Sequence, residues 1–236
     1  INFRKDNSGK GSFTMKRKNG RPLPLGTTVH GTCVNFSVAV EEEKTCRLLL
    51  YRIGTEEPEQ SFEMTKEDAI GEVRFLSVEG IDARKYEYNY EIDGKLIMDP
   101  YVKEIAGKMK IRGKLVSSTY DWEEDKLLKI PEEEVVAYNL HVRGFTKDRS
   151  SRIRKKGTFA GVIEKIPYLL ELGINQIHCM PVYEFEECSD KYINYWGYGP
   201  AYCFAPKAAY ASNGHSVKEL KDMVKACHKA GIEVIL

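Results

Sequence analysis

The sequence predicts a multidomain protein with a β part and an α/β part: an antiparallel β-sandwich followed by the beginning of a parallel β/α fold. Two observations carry this prediction. Short strand-like runs separated by turns fill the first half, and a strand–helix–strand–helix–strand pattern follows Pro131. The length of 236 residues leaves room for one large or two modest domains. We place the sandwich at residues 1–125 and the β/α part at residues 126–236.

Strand signals in the first half come from alternation and from turn residues. In the run 34–40 every second residue is apolar, which is the pattern of a strand with one buried face. Asp93 and Gly94 form a tight-turn pair between two further runs and predict a β-hairpin. Closely spaced strands of this kind are typical of a sandwich. The strand candidates are residues 34–40, 46–51, 71–76, 86–92 and 95–98.

The connection between the two parts, residues 103–131, is less regular and carries an acidic cluster at residues 123–126. Polar sequence without apolar periodicity is typical of loops. We therefore interpret the cluster as a solvated loop.

The first helix of the second half is predicted over residues 159–172, where apolar residues form a broad stripe. Pro167 lies inside this stretch and predicts either a kink or the start of a second short helix. Gly173 is predicted to end this helical stretch, because glycine commonly follows the last turn of a helix. Each strand-to-strand link carries a helix, as parallel pairing requires. The strand candidates are residues 135–140, 174–180 and 232–236.

The second helix is predicted to begin at a capping box and to end at Gly231. In this box, Ser216 and Glu219 satisfy backbone donors that the first helical turn leaves free. The residues after Gly231 form an apolar strand of the kind that is buried on both faces of a parallel sheet. Such strands rarely end a native chain. The three strands of the second half are also too few to close an eight-stranded β/α barrel, which needs about 250 residues. We therefore expect a longer protein that is truncated here after its third barrel strand.

Composition excludes several classes of partner and indicates a compartment. The formal net charge of +1 gives no argument for nucleic acid or for an anionic membrane. No run approaches the roughly 18 apolar residues that span a bilayer, and residues 1–6 lack the apolar core of a signal peptide. Six cysteines without a C-x-x-C pair indicate free, mostly buried thiols and a cytoplasmic location, although their even number leaves disulfides open.

Candidate functional residues follow the predicted strands, where β/α folds place their sites. His141 directly follows the first strand, and residues 180–185 follow the second. The loop 181–216 is much longer than an ordinary connection. It is rich in aromatic residues, which suit sugar binding because the apolar faces of sugar rings stack on them. The same rings also suit a small core under the loop, and composition alone does not separate these interpretations. The aromatic residues are Tyr183, Phe185, Tyr192, Tyr195, Trp196, Tyr198, Tyr202, Phe204 and Tyr210.

Motifs at these positions resemble the α-amylase superfamily, glycoside hydrolase family 13. Residues 138–146 resemble its first barrel strand. Within the isoamylase, glycogen-debranching and pullulanase-like branch, the order 194–198 followed by 204–206 is closest to isoamylases and glycogen-debranching enzymes, because the Tyr-Asn-Trp-Gly-Tyr order typical of pullulanases is absent. Asn139 departs from the Glu that close relatives often carry. Further similar segments are residues 157–162, 172–175, 180–182 and 231–236 in the barrel, and 24–28, 34–38 and 99–101 in the sandwich that precedes it.

The resemblance implies an immunoglobulin-like β-sandwich, similar to carbohydrate-binding module 48, followed by the first part of a (β/α)8 TIM barrel. It implies that the parent protein hydrolyses O-glycosidic bonds in α-glucans, at α-1,6 branch points, by a retaining mechanism. The partner would be an α-glucan polysaccharide or oligosaccharide. No nucleic acid, membrane or cofactor is implied, and calcium stays open for the full-length protein. The alternatives are an α-1,4 amylase, a branching transferase and a non-catalytic α-glucan-binding protein.

The resemblance also assigns the site residues. Its catalytic carboxylates lie beyond the fourth and fifth barrel strands, so we expect no catalytic residue and no hydrolytic activity in this chain alone. Tyr198 would stack on the sugar next to the scissile bond. Trp196 and Tyr195 would shape the loop or contact substrate, and His141 would form a structural hydrogen bond or contact substrate.

Other polar residues have simpler interpretations. Asn194 would hold the loop through side-chain-to-backbone hydrogen bonds, His178 would be a core histidine and His215 an exposed one. We interpret the acidic residues of the long loop as solvated, and the basic residues of the first β/α loop as a solvated insertion. The acidic set is Glu184, Glu186, Glu187 and Asp190, and the basic set is Lys147, Arg149, Arg152, Arg154, Lys155 and Lys156.

Overall fold

The computed structural model describes residues 15–106, 112–117, 119–188 and 193–236. The strands of its first unit are β1 (Lys16–Lys18), β2 (Gly26–His30), β3 (Cys33–Ala39), β4 (Cys46–Arg52), β5 (Gln60–Glu63), β6 (Ala69–Ile70), β7 (Val73–Glu79), β8 (Tyr86–Ile92), β9 (Lys95–Ile97), β10 (Ile105–Ala106) and β11 (Arg112–Lys114). They form two antiparallel sheets, in the orders β1-β7-β3-β2 (with β6 on β7) and β10-β11-β8-β4-β5 (with β9 on β8).

Apolar side chains from both sheets form one core between them. Phe36 and Leu76 from one sheet meet Leu48, Tyr88 and Tyr90 from the other, and all five are fully buried. The aromatic rings pack edge to face, with centroids 5.5 Å apart for Phe36 and Tyr88. Burial of apolar area is the main favourable term in folding, so this core explains why the two sheets pack face to face.

The predicted strands of the sandwich are confirmed, and the hairpin is confirmed in detail. Asp93 and Gly94 join β8 to β9 with φ values of 48° and 72°, as expected for a two-residue turn that needs positive φ at both positions. The prediction missed β1, β2, β5, β6, β10 and β11, which have two to five residues each and so contain too few residues to show alternation clearly.

The strands of the second unit are β12 (Ala137–Leu140), β13 (Gln176–Cys179), β14 (Tyr183–Phe185), β15 (Ala201–Pro206) and β16 (Glu233–Ile235). Three of them form a parallel sheet in the order β12-β13-β16. An antiparallel hairpin, β14-β15, lies within the long connection after β13. The helices are α1 (Val142–Lys147), α2 (Phe159–Glu164), α3 (Ile166–Glu171) and α4 (Ser216–Lys229), and short 3-10 turns span Lys66–Asp68, Glu132–Glu134, Arg149–Ser151 and Ala208–Tyr210.

The helix predicted over residues 159–172 is two helices, α2 and α3, which meet at Lys165. Pro167 lies in the first turn of α3, where its missing N–H group leaves no hydrogen bond unmade. Gly173 and Gly231 follow their helices with φ values of 75° and 80°, so both predicted helix ends are confirmed.

The predicted capping box at the start of α4 is wrong. Ser216 is the first residue of the helix, and its buried Oγ has no hydrogen-bond partner among the described residues. The Glu219 carboxylate instead accepts hydrogen bonds from the N–H groups of Ser212, at 2.9 and 3.0 Å, and of Ala160, at 3.0 Å. Glu219 therefore links α4 to two other segments through their backbone donors and does not cap its own helix.

The connection between the two units runs along α4. The Tyr120 hydroxyl donates to Asp222 at 2.8 Å, and Asp125 pairs with Nδ1 of His228 at 3.0 Å. The solvated-loop interpretation holds for the exposed Glu123, although that residue pairs with Lys225 of the same helix. It is wrong for Asp125, whose side chain is largely buried.

Separate apolar clusters support the predicted division into two units, although the boundary at residues 125 and 126 stays a prediction. The second unit has its own core between its sheet and its helices. A small third cluster of Val102, Ile105 and Ala205 joins the two units. No helix within the described ranges is long and apolar enough to cross a membrane.

The six cysteines are unpaired. Cys46 and Cys227 are buried, whereas Cys188 and Cys203 are exposed, so these side chains are less buried than predicted.

Candidate functional site

The predicted site residues meet at the carboxyl end of the parallel sheet. His141 directly follows β12 and precedes α1. Tyr195, Trp196 and Tyr198 lie in the segment between β14 and β15. The structure therefore brings the loop against the end of the first strand, as the β/α pattern predicts.

His141 is held by two hydrogen bonds. Its Nδ1 accepts from the N–H group of Gly144 at 2.9 Å, so this nitrogen carries no proton and the proton lies on Nε2. Nε2 lies 3.0 Å from the carbonyl oxygen of Tyr195 and donates to it. The ring is 8% exposed. His141 therefore caps α1 and fastens the loop to the end of β12, which is the structural role predicted for it.

Aromatic rings surround His141 and form what we name the aromatic cluster: His141, Tyr195, Trp196 and Tyr210. The Tyr195 ring is parallel to the imidazole, with centroids 4.5 Å apart. Trp196 meets both rings edge-on, at 5.7 and 5.3 Å. The buried Tyr210 hydroxyl lies 3.3 Å from Nε2 of His141. The cluster fixes the base of the loop through ring packing.

A tight turn presents Tyr198. Asn194 Oδ1 accepts from the N–H group of Gly197 at 2.9 Å, and its Nδ2 donates to the Tyr198 carbonyl at 3.3 Å. The predicted role of Asn194 is confirmed. Gly197 has a φ of 85°, and a Cβ at this position would lie 2.4 Å from Cε1 of Phe185. Only glycine fits this turn without strain.

Three of the rings are exposed to solvent, and two of them by more than half. Tyr198 is 67% exposed, Trp196 53% and Tyr195 42%. Neighbouring exposed aromatic residues on a rigid base are a feature of binding surfaces. The arrangement supports the substrate-binding roles of Tyr198, Trp196, Tyr195 and His141, which stay predictions.

A network of ion pairs holds the hairpin below the loop. Arg143 of α1 donates to Glu187 at 2.7 Å. Lys207, only 3% exposed, contacts Glu184 at 2.7 Å, the Phe185 carbonyl at 2.6 Å and Glu187 at 3.5 Å. The solvated interpretation is therefore wrong for Glu184 and Glu187, because these carboxylates neutralise cations that the fold buries.

The solvated interpretation holds for Glu186, which is exposed, and Asp190 lies outside the described residues. The basic set of the first β/α loop is exposed apart from the half-buried Lys156, as expected of a solvated insertion. His215 is exposed as predicted. His178 is half-buried rather than a core residue, and its Nε2 lies 2.6 Å from Oε1 of Gln176.

Electrostatics keep this network ionised. Burial raises the pKa of Glu187, but the Arg143 hydrogen bond and the charges of Lys207 and Arg143 outweigh burial and leave this pKa below its ordinary value of 4.5. Burial alone would lower the pKa of Arg143, and Glu187 raises it overall. Burial raises the pKa of Tyr210 to about 12. Glu187 is therefore committed to an ion pair and unsuited to donate a proton as a general acid.

Sequence reasoning missed Arg143 and Lys207, and it included Tyr210 only as one of the aromatic residues of the long loop. Arg143 lies in the motif that follows the first strand, and Lys207 lies directly after the segment 204–206 that carried the resemblance. A cation beside each of two family-like motifs, with acidic residues in the loop between them, is the signal that could have predicted the network. Within the described ranges no group of three or more His, Cys, Asp and Glu side chains is arranged to hold a metal ion.

Comparison with known proteins gives the family. Residues 116–236 match the model of the alpha amylase catalytic domain. The chain belongs to the α-amylase family. Isoamylase 1 of Oryza sativa subsp. japonica, a chloroplast protein, is 33% identical over 260 residues, which cover 92% of this chain and 32% of that protein. The glycogen operon protein GlgX homolog of Haemophilus influenzae is 30% identical over 92% of this chain and 38% of its own length. This α-amylase family chain thus spans about a third of the length of these relatives.

Solved structures give the same fold. A pullulanase from Paenibacillus barengoltzii, in complex with maltotetraose, matches with a TM-score of 0.76 at 22% identity and covers 89% of this chain and 37% of that chain. Pullulanase from Bacillus acidopullulyticus matches with a TM-score of 0.77 at 26% identity and covers 89% of this chain and 29% of that chain. The predicted sandwich followed by the first part of a TIM barrel is therefore confirmed.

Proposed function

We propose that the full gene product hydrolyses α-1,6 bonds at the branch points of glycogen or starch-like α-glucans, and that this chain supplies part of its substrate-binding surface. The observation that carries the proposal is the loop that holds Tyr198 at the barrel rim, exposed on a turn fixed by Asn194 and Gly197. The names of the relatives support it, since they are isoamylases and glycogen-debranching proteins.

The proposed roles follow from the geometry of the loop. The flat face of Tyr198 stacks on a sugar ring, and its hydroxyl forms a hydrogen bond with a sugar hydroxyl. Trp196 borders the same surface, while Tyr195 and His141 fix its base. Pullulanases solved with maltotetraose and with maltose support a maltooligosaccharide as the ligand.

The chemistry of a retaining glycosidase needs two carboxyl groups about 5 Å apart, one as nucleophile and one as acid. Glu184 and Glu187, the half-buried carboxylates near the loop, are occupied by Lys207 and Arg143. We therefore assign no catalytic residue in this chain and expect residues 1–236 alone to release no sugar.

The test compares the action of the full gene product on branched and linear substrates. We expect new reducing ends from glycogen or amylopectin, with linear chains as the products, and little action on a debranched α-1,4 glucan. Faster cleavage of the linear glucan would establish an amylase instead, and new branches without reducing ends would establish a transferase. Binding of glycogen without any bond cleavage would establish the non-catalytic alternative.

We also propose a cytoplasmic location, supported by six unpaired cysteines. Fractionation of source cells with an antibody against the chain would test it, and recovery in a secreted fraction would contradict it.

A further inference from the structure

A second exposed ring lies where β15 meets the sandwich. Phe204 is 58% exposed, and its ring stacks on Tyr101 with centroids 5.2 Å apart and planes 27° apart. Tyr101 follows β9 of the first unit, so the stacked pair contains one ring from each unit. Tyr101 covers one side of Phe204, and the exposure of Phe204 leaves area for a ligand.

A bulge in β15 produces this exposure. Glu184 lies opposite Tyr202, but the adjacent Tyr183 lies opposite Pro206, so residues 203–205 are out of register with β14. Bulges re-aim side chains and are frequent beside active sites. At this bulge, Ala205 points inward and lies fully buried in the small cluster that joins the units. The neighbouring Phe204 lies outside that cluster. Since Ala205 fills the cluster, packing between the units does not require the exposed area of Phe204.

A groove lies at residues that precede this pair of rings in the chain, and neither ring lines it. It has a volume of about 800 Å³, within the range of roughly 300–1,000 Å³ that is usual for ligand sites. Tyr202 of β15, two residues before Phe204, lines it, together with Met98, which precedes Tyr101 by three residues, and Leu96. Three acidic and two basic residues also line it, and two of them, Arg47 and Glu91, form an ion pair at 3.5 Å. A lining that mixes apolar side chains with hydrogen-bonding groups suits a molecule that carries many hydroxyl groups. The charged lining residues are Arg47, Arg112, Glu56, Glu57 and Glu91.

We propose that Phe204, supported by Tyr101, is a second sugar-binding platform, through which β15 and the sandwich together bind an α-glucan chain that also occupies Tyr198. This inference rests on the proposed function. Phe204 follows Tyr198 by six residues, so their backbones are at most about 20 Å apart, a distance that an oligosaccharide of several units covers. The sandwich thus contributes directly to substrate binding, in addition to packing against the barrel.

The test measures the affinity of the full gene product for maltoheptaose and for maltotriose by titration calorimetry. For Phe204→Ala we expect about tenfold weaker binding of maltoheptaose and unchanged binding of maltotriose, because only the long chain reaches both rings. Phe204→Tyr retains a flat ring and should bind both sugars as the wild type does. Tyr168→Ala is the matched control, since this exposed ring lies on α3, and it should change neither affinity.

The outcomes separate this inference from the proposed function. Equal binding of maltoheptaose by Phe204→Ala and wild type, with Tyr198→Ala weakened for both sugars, overturns the second platform alone. An equal loss of both sugars in Phe204→Ala also overturns it, since the loop itself would then be disturbed. A wild-type protein that binds neither sugar overturns the proposed function and this inference together. An unfolding temperature of Phe204→Ala equal to that of the wild type would show that the fold is intact.

Discussion

The sandwich core and the long barrel loop use the same aromatic residue types in opposite ways. Phe36, Tyr88 and Tyr90 are fully buried between two sheets, where they stabilise the fold through apolar burial and edge-to-face packing. In the loop, Tyr198 and Trp196 are more than half exposed, although burial would be favourable for both.

The difference shows how a loop can hold exposed rings in place. The sandwich derives its rigidity from packing, whereas the loop adds specific polar contacts to the ring packing at its base: the Asn194 hydrogen bonds, the His141 contact and the ion pairs of Lys207. The rings at the loop tip are therefore available to a ligand. Substitutions in the first region should change stability, and substitutions in the second should change binding.

The largest expected effect is on the sandwich core. Phe36→Ala should lower the free energy of unfolding by about 3–5 kcal/mol, since it leaves a cavity beside Tyr88. Denaturant unfolding of the full gene product measures this, and Phe36→Leu, which keeps most of the volume, should lose clearly less. A loss below about 1 kcal/mol would contradict the assignment of this ring to the core.

Gly197→Ala should be the next largest change. The φ of 85° and the 2.4 Å approach of a Cβ to Phe185 force the turn to move, with strain of about 1–3 kcal/mol. We expect glucan affinity to fall with the displaced Tyr198. Gly214→Ala is the matched control, because its φ of 78° gives similar backbone strain while its Cβ would meet nothing within 4 Å. Equal glucan affinities for the two variants would show that the clash does not control the loop.

Asn194→Ala should have a smaller effect. It removes two hydrogen bonds that hold the turn, each with a net contribution of about 0.5–1.5 kcal/mol, and should weaken glucan binding several-fold with little change in global unfolding. Asn213→Ala is the control, since that side chain makes the same kind of local bond, to the N–H group of His215, outside the site. A loss of glucan affinity in Asn213→Ala but not in Asn194→Ala would contradict this prediction.

The smallest expected effect is on the pH dependence of stability, to which two carboxyl groups contribute in opposite directions. The pKa of Glu187 lies below its ordinary 4.5, so its stabilising contribution is present above pH 4.5 and is lost as the pH falls through the lower folded value. Burial raises the pKa of Asp99 in the sandwich above its ordinary 3.8, so its contribution is present below pH 3.8 and is lost as the pH rises through the raised value.

Unfolding free energies between pH 3 and pH 6 check this pair. The stability advantage of wild type over Glu187→Gln should shrink as the pH falls, while its advantage over Asp99→Asn should grow. Differences that do not change with pH would contradict both assignments.

Much of the fold is predictable from the sequence because it depends on residues that are neighbours in the chain. The incorrect predictions concern residues whose contacts lie far away in the chain. The β8–β9 hairpin and the division at Pro167 depend on neighbouring residues, so the sequence shows them directly. Glu219 was misassigned because backbone donors from two other segments compete with its own helix. The sequence around Glu187 does not show that this residue forms an ion pair, because its partner Arg143 lies 44 residues earlier. The position of Tyr198 was predictable from its motif, whereas the ion pairs that hold its loop depend on the tertiary fold.

The most direct test of the difference between the two regions is Tyr198→Ala in the full gene product, with maltotetraose affinity and unfolding free energy measured on the same sample. The account predicts about tenfold weaker binding and a change in unfolding free energy within about 0.5 kcal/mol. Unchanged affinity, or a stability loss of about 3 kcal/mol of the kind expected for a core ring, would contradict it.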